Sequence, residues 1–159
     1  MKVSNHLIIL ATIILGFCID ELLNPLSIKL FLDLNFGFLI FAYWIFAFPE
    51  RLKSSASLFY GLVIDLFFSN VVGFNMLFFV ATSYVIHLYV FRLRIFSYLQ
   101  LSLFFSGSST FYIVCKYLLL SPNNYSYLVL IVSFIITAIL WIGVYFSLRA
   151  FRRSVFVNL

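Results

Sequence analysis

The sequence predicts an all-α integral membrane protein with six transmembrane helices and both termini in the cytoplasm. Three observations carry that prediction. Of 159 residues, 65% are hydrophobic and only 9% charged, whereas a soluble domain has about 25% charged residues on a surface that water must wet. The apolar runs are continuous, which fits helices; barrel strands would alternate over segments of about ten residues. The basic residues cluster in alternate connections, which sets an orientation. The mean hydropathy of +1.16 agrees.

The first span is drawn over residues 3–23. Lys2 and the apolar run that follows have the outline of a signal peptide, but the run ends in "CIDELLNP" with no small-x-small cleavage site. In "LGFC", bulky Phe17 stands before Cys18 where a lipoprotein signal needs a small residue. The segment is therefore read as a retained span. Residues 34–48 form the second span, closed by Pro49, and residues 54–70 the third. The fourth covers 72–91, the fifth 95–120 up to "SPNN", and the sixth 125–148. Several are short for a hydrocarbon core about 30 Å thick. Lys and Arg side chains that snorkel from the ends reduce the mismatch.

Charge placement supports the six spans. Lys2, Arg51, Lys53, Arg92, Arg94, Arg149, Arg152 and Arg153 fall on one side, and only Lys29 and Lys116 on or near the other. The eight-residue side is cytoplasmic by the positive-inside rule; five or seven spans would break the partition. The whole chain, 1–159, is read as one polytopic membrane domain. Its longest connection is "NPLSIKLFLDLN", residues 24–35. Leu26, Ile28, Leu30, Leu32 and Leu34 alternate there with other residues, which predicts an extended segment with one apolar face.

Composition and spacing narrow the function. The 22 Phe and 10 Tyr are expected at lipid-facing, core and interfacial positions, and the net charge of +5 reflects topology, so no nucleic-acid partner is expected. Cys18 and Cys115 lie in apolar runs without disulfide or metal spacing. No zinc motif, phosphate loop or nucleophile elbow occurs, and His6 and His87 read as structural groups near the inner face. Neither catalysis nor a cofactor is expected.

One acid stands out. "GLVIDLFF" places Asp65 inside an apolar run, where a charge costs roughly 2.5–3.5 kcal/mol on insertion scales. Ser57, Gly61, Asp65 and Ser69 recur every four residues and form one small, polar stripe on the third span. Small residues at that spacing let another helix approach closely. The stripe is therefore a candidate face for helix packing or a partner, joined by Gly73 and Asn75 of "SNVVGFN". Asn75 can hydrogen-bond the carboxyl from the next helix. Lys116 is an alternative partner, although it is expected to snorkel. A second four-residue series, Ser102, Ser106 and Thr110 around "SGSST", reads as a close-packing face or a kink.

The stretch "YWIFAFPERLKSSASLFYGLVIDLFFSNVVGFNMLFFVATSYVI", residues 43–86, resembles the central part of the rod shape-determining protein MreD family. Tyr43 and Trp44, Pro49 closing a span, the short basic turn, and Gly61, Asp65 and Gly73 at their spacing carry the resemblance. Chain length, span count and the basic C-terminal tail agree with it. "SNVVG" departs from the Ser-Gly pair of many relatives. The resemblance implies a non-catalytic scaffold of the bacterial cell-elongation and peptidoglycan-synthesis machinery in the inner membrane. Its expected partner is MreC, and through it MreB, RodA and the elongation transpeptidase, with membrane lipid around it. It also implies a fold similar to the substrate-binding subunits of energy-coupling-factor transporters. The alternative function is accordingly a vitamin-binding membrane subunit. Such a site needs several convergent polar groups, and the outer side offers few: Asp65, Asn75, Lys116 and "PNNY".

Overall fold

The computed structural model describes residues 3–50, 52–68, 71–120 and 126–155. Among them are six helices and no strand: α1 (Val3–Lys29), α2 (Phe36–Ala47), α3 (Ser54–Phe68), α4 (Phe74–Ile95), α5 (Tyr98–Leu120) and α6 (Tyr127–Val155). Three are long and apolar enough to cross a membrane: α4, α6 and the Asn5–Ser27 part of α1. The fold is thus all-helical and consistent with a membrane protein. Large apolar side chains remain exposed along these helices, among them Leu128, Ile131, Ile135 and Ile139 on α6. Their spacing of three or four residues makes one continuous apolar face.

The expectation of an extended segment over residues 24–35 is corrected. α1 runs through Pro25 to Lys29, so the first half of that segment is helical. The Leu32 N–H then returns to the Ser27 carbonyl at 3.1 Å, and Phe31 takes a positive φ of 52°. This is a helix-ending turn of the kind that usually has glycine at its left-handed position. A helix satisfies its backbone internally, and lipid tolerates apolar residues on every side of it. Alternate leucines therefore did not impose an extended chain.

The chain divides into two compact units, Met1–Leu22 with Asn35–Phe96, and Leu23–Leu34 with Ser97–Leu159. In the first unit, α2 has only 12 residues, about 18 Å at 1.5 Å per residue. It is shorter than the three helices long enough to cross a membrane, and it packs inside protein. Residues Phe38, Leu39, Phe41, Ala42, Tyr43, Trp44 and Ile45 are all buried. Phe41 stacks on Phe79 of α4 with ring centroids 3.8 Å apart, and Trp44 Nε1–H donates to Thr12 Oγ1 of α1 at 2.9 Å. His87 ties α4 to the α2–α3 turn, its Nε2 lying 2.7 Å from the Pro49 carbonyl.

In the second unit α5 packs on α6. Ser102, Ser106 and Ser109 of α5 and Ser133 and Thr137 of α6 are buried. The Ser102 hydroxyl donates to the Ala138 carbonyl, and Phe105 stacks on Trp141 with centroids 4.1 Å apart. α5 continues unbroken through "SGSST". Ser108 and Thr110 return their hydroxyls to the Phe104 and Ser106 carbonyls of their own helix.

Candidate functional site: a carboxylate clamp between helices

α4 begins without a capping side chain of its own. Its N-cap is Gly73, whose φ of 106° requires glycine, and no N-cap side-chain bond forms. The first intrahelical bond is Leu77 N–H to the Gly73 carbonyl, so the earlier N–H groups need partners elsewhere. In a membrane an unsatisfied backbone group costs several kcal/mol.

Asp65 supplies the acceptors from α3. Its Oδ2 accepts from Gly73 N–H at 2.8 Å and Met76 N–H at 3.1 Å. Its Oδ1 accepts from Asn75 N–H at 3.0 Å and Asn75 Nδ2 at 2.9 Å. Three backbone donors and one amide converge on two oxygens, which matches the acceptor capacity of a carboxylate. The helix dipole adds a favourable field, since a negative group at an N-terminus is worth typically 0.3–1 kcal/mol and up to about 2 when partly buried.

Gly61, one turn before Asp65, explains how the carboxylate reaches. A Cβ there would lie 2.5 Å from Met76 Cα and 2.7 Å from Met76 N. Only glycine lets α3 come so close to the start of α4. Ser57 continues the same face and is fully buried, with no hydrogen-bond partner for its hydroxyl among the described residues. The structure thus brings Ser57, Gly61, Asp65, Gly73 and Asn75 to the α3–α4 hairpin. Ser69 lies outside the described residues. Lys116 belongs to the second unit, where its carboxylate neighbour is Asp33.

The same device occurs a second time, at a place the sequence reading did not single out. Asp20 of α1 accepts from Phe36 N–H at 2.7 Å through Oδ1 and from Gly37 N–H at 2.9 Å through Oδ2. These are the first two N–H groups of α2, whose N-cap Asn35 forms no side-chain cap. Gly16, one turn before Asp20, is again a close-approach glycine: its Cβ would lie 2.8 Å from Gly37 Cα. "GFCID" and "GLVID" share the pattern Gly-x-x-Ile-Asp. Each puts glycine at the helix crossing and aspartate at the start of the next helix. The signal was present as an internal repeat.

A third polar cluster lies in the second unit. The Asp33 N–H donates to Ser133 Oγ at 2.7 Å. Burial pushes the Asp33 carboxyl up from its usual value, against the opposing pull of Lys116 and a hydrogen bond from Tyr117.

Chemically, the Asp65 site is an acceptor already filled by the protein's own donors. Among the described residues, no group of three or more His, Cys, Asp or Glu is placed to hold a metal. Cys18 and Cys115 are free thiols, each half-buried. No family model, curated protein or solved structure matches the chain.

Proposed function

We propose that this chain is a non-catalytic scaffold of the bacterial cell-elongation machinery, set in the inner membrane with six spans and both termini in the cytoplasm, and acting with MreC. The reading rests on the resemblance of residues 43–86 to the MreD family. The observation that supports it is the use made of the acid within that stretch. All four donors around Asp65 come from the start of α4, so the carboxylate spends its acceptors on holding a hairpin. A scaffold needs a helix pair of fixed geometry to present to a partner, and the clamp provides one. MreB, RodA and the elongation transpeptidase would be engaged through MreC.

Copurification tests the reading. Tagged protein extracted from native membranes in mild detergent should bring down a single-span protein with a periplasmic domain. Recovery of an energising ATPase module in its place would move the assignment to the vitamin-transporter alternative.

A further inference from the structure

The geometry points to a binding site for an anionic phospholipid between α1 and α3, at the end of the first unit remote from the two aspartate clamps. A cavity of about 590 Å³ opens there, lined by His6, Leu10, Lys53, Ala56, Phe59 and Tyr60 among others. Its walls divide by chemistry. Leu10, Ala56 and Phe59 offer apolar surface, which Leu7, 60% exposed, and Phe59, 56% exposed, carry out onto the lipid-facing side. Lys53, Ser55 and the pair His6–Tyr60 supply the polar part.

That pair has a donor to spare. His6 Nδ1 lies 2.6 Å from the Tyr60 hydroxyl. If the phenol donates, a neutral imidazole carries its proton on Nε2; if Nδ1 donates, the phenol proton is left to point elsewhere. Either tautomer leaves one N–H or O–H beyond the shared bond, in a cavity that Lys53 also lines. A phosphodiester presents what this arrangement lacks: a negative charge with acceptor oxygens, attached to acyl chains that suit Leu7, Leu10 and Phe59. The surrounding field favours the same ligand. Arg92 and Arg94 occupy the last turn of α4, at the end where α3 begins, and Glu50 is the one acid at that end among the described residues. Basic pockets between membrane helices are recurrent sites for acidic headgroups. A zwitterionic lipid brings the same phosphodiester but sets a quaternary ammonium beside Lys53, which cancels the net attraction, and a soluble anion would leave the apolar wall uncovered.

The test uses the full chain purified in a neutral detergent, with native mass spectrometry counting bound lipid. Short-chain phosphatidylglycerol, phosphatidylcholine and glycerol phosphate are the probes. The site predicts retention of phosphatidylglycerol over phosphatidylcholine by about fivefold, the worth of one lysine near a membrane surface. Lys53→Gln should abolish the preference with an unchanged unfolding temperature, because Lys53 is exposed. Leu10→Trp, which fills the cavity, should lower retention of both lipids. Equal retention of the two lipids, an unaltered preference in Lys53→Gln, or glycerol phosphate competing as strongly as the lipid would each overturn the proposal. So would a copurified protein helix cross-linked from Phe59 in place of lipid.

Discussion

Asp65 and Gly73 are joined by a 2.8 Å hydrogen bond in which a carboxylate on α3 accepts the N–H of the residue that starts α4. The acid is eight residues away in sequence, so the cap comes from the preceding helix and not from the turn. Between membrane helices no water-driven hydrophobic term favours association; close contact and hydrogen bonds must do it. The clamp combines the two, with Gly61 making the contact and Asp65 the bonds.

Charge and geometry at Asp65 can be separated by substitution. Asp65→Asn retains one acceptor oxygen but turns an NH₂ toward two of the four donors. Asp65→Leu removes both acceptors and leaves three backbone N–H groups unpaired, at roughly 1–3 kcal/mol each. The expected order of unfolding temperature in detergent is wild type, then Asn, then Leu. An Asn variant as stable as wild type would show that one of the two oxygens contributes nothing.

The glycines give a contrast within one molecule. Gly61→Ala must push α4 away, which as overpacking costs about 1–3 kcal/mol. At Gly107 and Gly143 a Cβ would meet nothing within 4 Å among the described residues. Alanine there should be neutral or stabilising by up to about 1 kcal/mol, the helix-propensity difference. Thermal unfolding of the three variants side by side checks this, and equal effects at all three positions would argue against the close approach.

Asp20 and Asp65 cap different helices, Asp20 through Phe36 and Gly37 and Asp65 through Gly73, Asn75 and Met76. Asp20→Asn should therefore destabilise the start of α2, and the double variant Asp20→Asn with Asp65→Asn should lose the sum of the single effects within about 0.5 kcal/mol. A marked departure from additivity would mean that the two hairpins are coupled.

Asp33 should make stability depend on pH. Its folded carboxyl titrates above the usual carboxylate value because burial opposes its charge. The folded state then holds the proton more tightly than the unfolded chain, so the contribution is full below the unfolded value. It is lost as pH rises through the raised folded one. Asp33→Asn should flatten that part of the curve. The check is unfolding temperature against pH across the acid range for both proteins.

The sequence showed more of α3–α4 than of α1–α2, for a physical reason. Asp65 sits in the middle of an apolar run, where a carboxylate demands an explanation, and the four-residue stripe with Asn75 beyond it supplied one. Asp20 stands beside Glu21 and close to Asn24, where an acid reads as an ordinary interfacial charge. Only the hydrogen bonds to Phe36 and Gly37 reveal its task. The all-helical class followed from composition. Helix ends did not: α1 reaches Lys29, α4 Ile95 and α6 Val155, because helices continue past the apolar run that defines a span. The cavity between α1 and α3 was invisible, since it joins residues about fifty positions apart that no local pattern links.

Orientation is open to a direct check. Reporter fusions after Leu159 and after Phe91 should both report the cytoplasm, and a fusion within residues 122–125 should report the outside. An external C-terminus would contradict the six-span arrangement.

The scaffold account is tested most directly by depleting the protein in a rod-shaped host while measuring cell width and vitamin uptake together. The account predicts rounded, widening cells with uptake unaffected, and rescue by the wild-type chain. Cells of normal width with a specific uptake defect would contradict it.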